Sequence, residues 1–209
     1  MIRVVDVHKS FGDKVIYRGL DLQIAEGSTH VIIGRSGEGK SVLLKHISAL
    51  MEPDRGEVWV DGRRVDPRSP ASVRHVREHV TMVFQAGALF DSLTVRENVG
   101  FYLDQQRKKP RAEIDRICAE LLDEVNLPDT GHLLPAELSG GMRKRVSLAR
   151  ALAAEPKIIL YDEPTTGLDP VTTDVIGELI MKTARRHNVT SVVVSHDIKN
   201  AMKIGDHIS

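Results

Sequence analysis

Apolar residues change their period twice along this chain, and the changes divide it into three stretches. Over the first 60 residues they come in short, β-rich runs at 2–7, 15–17, 20–24 and 29–33, punctuated by Gly12, Gly19 and Gly27. Short runs bounded by turn residues predict strands. After Gly34 the spacing becomes helical: Val42, Leu43, Leu44, Ile47 and Leu50 share one face until Pro53 and Gly56 end the run. A strand at 57–60 follows, with a turn at Asp61-Gly62, and another strand is predicted at 80–85. From about 95 to 155 the pattern is almost wholly helical, with Ile114, Ile117, Cys118, Leu121, Leu122 and Val125 forming one stripe. Short apolar runs then return at 158–161 and 191–194, around a helix that opens at Asp169-Pro170 and turns Val171, Val175, Ile176, Leu179 and Ile180 inward.

Strands that are apolar on both faces, alternating with helices, predict an α/β protein whose mostly parallel sheet is covered on each side. The first 60 residues, which read as antiparallel, and the helical block are then additions to that core. A length of 209 residues suits one compact unit with an insertion. No internal repeat or low-complexity linker interrupts it.

Composition narrows the function. Lys+Arg and Asp+Glu are equal at 29 each, so the chain offers no basic field for a phosphate backbone and nucleic acid is not expected as a partner. One cysteine, Cys118, makes neither an internal disulfide nor a cysteine-rich zinc site, and its place on the helical stripe predicts plain core. The first residues carry an acid where a signal peptide needs an apolar run, and no stretch reaches the length of a membrane span; a soluble, cytoplasmic chain is expected.

Gly34-Arg35-Ser36-Gly37-Glu38-Gly39-Lys40-Ser41 satisfies G-x-x-x-x-G-K-[ST] after a predicted strand and before a predicted helix. Glycines let the backbone curl so that successive N–H groups, as far as Val42, point into one concavity at a helix start, where an anion is favoured. Lys40 can reach the β and γ phosphates, and the Ser41 hydroxyl can ligate Mg²⁺. The 158–161 strand ends in a second acidic feature, Asp162-Glu163. An Asp there can hold Mg²⁺, and a Glu one step on can polarise the water that attacks the γ-phosphorus. Together the two features predict a P-loop NTPase. The N-K-x-D guanine reader of GTPases is absent.

Between these sites stand Leu138-Ser139-Gly140-Gly141-Met142 and the helical run after it, which resemble the signature of ATP-binding cassette (ABC) ATPases. The remaining motifs match that family in order, over essentially the whole chain. Phe11 stands where the family's adenine-stacking aromatic stands, Gln85 resembles the Q-loop glutamine that touches Mg²⁺ and the attacking water, Gly167-Leu168-Asp169 resembles the D-loop, and His196 resembles the switch histidine. The resemblance implies ATP and Mg²⁺ as ligands, Glu163, His196 and Gln85 as catalytic residues, and Ser41, Gln85 and Asp162 around the metal. It implies a RecA-like core, an N-terminal antiparallel subdomain and a helical subdomain inserted at about 86–155, all in one nucleotide-binding domain over 1–209. Ser139 can cap its helix while Gly140 and Gly141 face an anion. In the family that anion is the γ-phosphate held by a second copy, so the resemblance implies a head-to-tail dimer, with Ser139, Gly140, Gly141 and the D-loop Asp169 among the nucleotide-binding residues. Met142 replaces the family's usual Gln, which predicts altered affinity rather than lost activity. Family members also continue well beyond the switch histidine, so the C-terminal part of the domain is expected to be missing here.

The stretch from Gln85 to Val95, followed by Glu97-Asn98-Val99, together with Leu138 to Arg145, is similar to the ATPases of MCE-linked (Mla-type) systems that move phospholipids between bacterial membranes. That similarity implies integral membrane permease subunits and an MCE-type lipid-binding subunit as partners, at the cytoplasmic side of the inner membrane. Other transported substrates, or a non-transport ABC ATPase acting on DNA or ribosomes, remain alternatives; the neutral charge and short chain disfavour the last. His75-Val76-Arg77-Glu78-His79 spells the H-x-x-E-H zinc pattern, but no third ligand is suggested and a solvated helix is expected. Arg107 to Arg111 reads as a charged turn between helices. Leu89, Phe90, Leu93 and Phe101 belong either to the subdomain core or to the surface that receives the permease.

Overall fold

The computed structural model describes residues 1–209. In chain order the elements are β1 (Ile2–Phe11), β2 (Lys14–Ile24), β3 (Thr29–Ile33), α1 (Lys40–Ile47), β4 (Arg55–Val60), β5 (Arg63–Arg64), α2 (Pro70–His79) and β6 (Val80–Val83). They continue with α3 (Val95–Gln106), α4 (Arg111–Glu124), α5 (Gly140–Leu152), β7 (Ile158–Asp162), α6 (Pro170–His187), β8 (Thr190–Ser195), α7 (Ile198–Ile204) and β9 (His207–Ile208).

Two sheets result. One is antiparallel, in the order β2-β1-β4-β5; the other is parallel throughout, in the order β6-β7-β8-β3-β9. Alternation along the parallel strands deals their side chains to two cores. Ile159, Tyr161 and Val193 join the apolar cluster of α3, α4, α5 and α6. Ile158, Leu160, Val192 and Val194 join the cluster shared with α1, α2 and the antiparallel sheet. Their neighbours on both faces are apolar, which is why these runs show no polar alternation in the sequence. Cys118 lies in the first cluster at 1% exposure, and burial pushes its thiol up to about 11. No helix is long and apolar enough to cross a membrane.

Several expectations are corrected. The two strands predicted at 15–17 and 20–24 are one strand, because Gly19 adopts a positive φ of 95° inside a bulged ladder with β1. β1 itself runs on past residue 7 to Phe11. β6 stops at Val83, and Gln85 lies in a turn closed by the Gly87 amide on the Phe84 carbonyl at 2.8 Å. The helical block is broken over 125–139, where Pro128, Gly131 and Pro135 stand, and α5 starts afresh at the Ser139 cap. α2 is not wholly solvated: His75 is buried and shares its Nε2 with the Val60 carbonyl at 3.3 Å, a structural hydrogen bond rather than a metal contact. Arg107 to Pro110 does form the turn from α3 into α4, and Arg111 is the first residue of α4.

Candidate functional site

The register of the parallel sheet assembles the site. Ile33 pairs with Ser195 and Asp162 with Val194, so Gly34, Glu163 and His196 leave three adjacent strand ends together. This carboxyl edge is where open α/β sheets bind ligands.

Between β3 and α1 the chain curls. Gly39 is the N-cap of α1 at φ 106°, with no side-chain cap, so no side chain occupies the first amides of the helix, and the Val42 amide turns back to the Gly39 carbonyl at 2.7 Å. A Cβ there would stand 2.5 Å from Ile16 Cγ2, which shows how closely β2 presses on the loop. From β2 the Tyr17 hydroxyl donates to the Gly39 carbonyl, and Lys14 Nζ donates to the Gly37 carbonyl at 3.1 Å. Burial pushes the Tyr17 phenol up to about 12. The antiparallel sheet thus braces the phosphate loop. Lys40 Nζ donates to the carbonyls of Gly34 at 2.7 Å and Arg35 at 3.1 Å, and lies 3.4 Å from Glu163 Oε1.

Ser41 Oγ donates to Asp162 Oδ1 at 2.8 Å. Glu163 follows at φ 51°, a left-handed conformation that costs a non-glycine residue about 1–3 kcal/mol and is characteristic of functional sites. Its amide donates to the Val194 carbonyl at 3.0 Å. Its Oε2 accepts from Thr166 Oγ1 at 3.1 Å and lies 2.7 Å from His196 Nδ1. The glutamate side chain is 14% exposed and the histidine 60%, so the carboxylate is set in the floor and the imidazole at the rim.

A cleft of about 540 Å³ joins these groups, lined by Arg35, Ser36, Gly37, Gly39, Lys40, Ser41 and Val42 of the loop together with Gln85, Glu163, Thr166 and His196. Its size is that of a small-molecule site. The donors converging below the loop, a hydroxyl, a carboxylate and Gln85, suit a hard oxygen-seeking cation such as Mg²⁺.

Phe11, Ser139, Gly140, Gly141 and Asp169 do not line this cleft. Phe11 is exposed, with the Lys9 ammonium 5.4 Å from its ring centre. Ser139 caps α5, accepting the Met142 amide at 3.2 Å. Asp169 caps α6, accepting the Thr172 amide at 3.0 Å and hydroxyl at 2.6 Å, and these bonds hold its carboxyl below the ordinary aspartate range. The two capped ends abut: a Cβ on Gly141 would stand 2.6 Å from Thr172 Cγ2. Met142 packs against the helical core cluster. Leu89 joins that cluster too, while Phe90 and Phe101 stack at 4.6 Å beside an outward groove with Phe84 and Tyr102. Sequence reasoning missed Thr166, Tyr17 and Lys144. Thr166 stands three residues after Glu163, a spacing that offered a local signal; the other two reach the site across the fold.

A curled glycine loop at a helix start, a lysine within it, and an acidic pair at the end of a neighbouring strand define a P-loop nucleotide hydrolase. The sequence pattern of the ABC transporter family matches residues 17–166. The intermembrane phospholipid transport system ATP-binding protein MlaF of Haemophilus influenzae is 40% identical over 207 residues, covering 99% of this chain and 78% of that protein. The methionine import ATP-binding protein MetN of Thermobifida fusca is 41% identical over 213 residues, covering all of this chain and 66% of that protein. Among solved structures, the dimeric post-hydrolysis state of the ATP-binding cassette MJ0796 bound to ADP and Pi superposes with a TM-score of 0.88 at 35% identity, covering 100% of this chain and 93% of that one. The chain belongs to the ABC transporter family. It is an ATPase whose hydrolysis is coupled to transport.

Proposed function

We propose that this chain is one nucleotide-binding domain over 1–209, with a helical subdomain inserted at about 86–155, and that it powers phospholipid movement between bacterial membranes as a head-to-tail homodimer. The observation that carries the hydrolytic reading is the Glu163 carboxylate, held between Lys40, Thr166 and His196 at the floor of the cleft. Amides of the loop from Gly34 to Val42 receive the phosphates of ATP. Phosphate oxygens entering the loop draw Lys40 Nζ from the Gly34 and Arg35 carbonyls and from Glu163, and the freed carboxylate accepts a proton from the attacking water. His196 steadies that carboxylate and faces the γ-phosphate, and Gln85 orients the water. Ser41, Asp162 and Gln85 would hold Mg²⁺, which neutralises charge on the β and γ phosphates. Phe11 stacks on adenine, and Ser139, Gly140, Gly141 and Asp169 complete the site of the second copy.

The lipid assignment is supported by the stretches around Gln85 and the signature and by the relative described as a phospholipid transport protein. The aromatic groove of Phe84, Phe90 and Phe101 suits a segment of a permease subunit, which would hold the chain at the cytoplasmic face of the inner membrane beside an MCE-type lipid-binding subunit. The similarity to a methionine importer favours a second reading, import of a small polar solute.

Two measurements test the proposal. Glu163→Gln binds ATP and accumulates a dimer on size-exclusion chromatography, with turnover down by about 10²–10⁴; normal turnover removes Glu163 from its role. Mass spectrometry of the purified whole complex finds phospholipid, whereas retained amino acid without lipid transfers the chain to the second reading.

A further inference from the structure

Lys144 carries a charge that none of the roles above uses. It lies one turn into α5, four residues after Gly140, and is 9% exposed. A lysine at that depth is rare without a partner. No carboxylate pairs with it directly. Instead its ammonium donates to the Thr166 carbonyl at 2.8 Å and approaches the Glu163 carbonyl at 3.4 Å. Those carbonyls are the two ends of one turn, closed by the Thr166 amide on the Glu163 carbonyl at 3.3 Å. The turn holds Glu163 at its positive φ and delivers the Thr166 hydroxyl to the same residue's carboxylate. Burial holds the Lys144 ammonium below the ordinary lysine range, and the nearby Glu163 charge offsets part of that shift.

Resting on the assignment of Glu163 above, we propose that Lys144 is a positioning residue for hydrolysis: it clamps the turn from Glu163 to Thr166 to α5 and thereby aims the Glu163 carboxylate. The tie also has a direction. Ser139, Gly140 and Gly141 begin the helix that carries Lys144, so a second copy's ATP engaging that end pulls on the turn that sets this chain's own carboxylate. Occupancy of one site is thereby felt at the other without passing through Lys40 or the phosphate loop.

The test uses the full chain in its assembled complex, with steady-state ATPase rates and the affinity of a fluorescent ATP analogue measured on the same preparations. Lys144→Met lowers kcat about tenfold or more, while analogue affinity stays within about twofold, because the aim of Glu163 in the transition state is lost and ground-state binding of nucleotide is not. Lys144→Arg, which keeps charge and donors, recovers most of the rate. In a Glu163→Gln background Lys144→Met has no further effect, as a residue acting through Glu163 requires. A kcat within about twofold of the parent, or kcat and affinity falling together, overturns the proposal. If Lys144→Met does not fold, as judged by thermal unfolding, Lys144→Gln is substituted under the same criteria. Normal turnover by Glu163→Gln alone instead defeats the underlying site assignment, which separates the two failures.

Discussion

Two helices of this chain begin in glycine-rich sequence, and they begin differently. α1 starts from Gly39, a left-handed residue without a side chain, so no side chain caps its leading amides and its loop wraps back to Gly34. α5 starts from Ser139, whose hydroxyl already takes the Met142 amide, and Gly141 lies close against Thr172 in the first turn of α6. Both ends carry the positive pole of a helix. Only the first carries its lysine inside a curled loop that lines the cleft; the lysine of α5, Lys144, is spent on the carbonyls of the turn after β7. The difference teaches that glycine at a helix start serves two purposes here: at α1 it opens an anion cradle, and at α5 it lets two chain segments approach.

Lys40→Ala is the largest way to test that contrast. It removes the cation that stands at the start of α1 beside Glu163, and ATP turnover in the assembled complex is expected to fall by about a hundredfold or more, with nucleotide binding weakened. Activity near that of the parent breaks the distinction outright. Glycine substitutions sharpen it. Gly39→Ala meets Ile16 at 2.5 Å in a left-handed backbone, so it distorts the loop and raises the dissociation constant of an ATP analogue for a single chain. Gly141→Ala meets the Thr172 methyl at 2.6 Å, and the same single-chain constant is expected to hold while the hydrolysis rate of the complex drops. Equal effects on binding would mean that the two helix starts do one job.

The smallest effect concerns the Asp169 cap beside α5. Hydrogen bonds from Thr172 depress its folded pKa, so the stability it contributes is present above the unfolded aspartate value near 3.9 and is lost as pH falls through the lower folded value. Asp169→Asn keeps a capping oxygen but has no proton to gain. Its melting temperature should therefore fall less steeply than the parent's below about pH 4 in a thermal unfolding series. Parallel curves would show that the cap contributes no pH dependence.

Much of this was legible in sequence, for a physical reason. β7 and β8 are buried on both faces, so they show as the apolar runs Ile158–Tyr161 and Val192–Val194, and the phosphate loop is written in eight consecutive residues. Local rules also gave the Asp169-Pro170 helix start and the core place of Cys118. What escaped depends on neighbours far along the chain. Gly19 looks like a strand breaker until β1 supplies the bulged ladder that accepts it. His75 looks solvated until the Val60 carbonyl arrives. Lys144 gives no local signal in the sequence, and only the fold brings the Glu163 and Thr166 carbonyls to it. Gln85 sits past a strand end that periodicity could not locate within two residues.

The buried thiol of Cys118 has a practical consequence. It is the chain's sole cysteine and stays protonated at neutral pH, so thiol-directed dyes and spin labels leave the unaltered protein essentially unmarked. A cysteine introduced at exposed Ala136, just ahead of α5, would take the label alone. Distances between two such labels would then report, copy to copy, on whether the signature ends meet their partners when ATP is added.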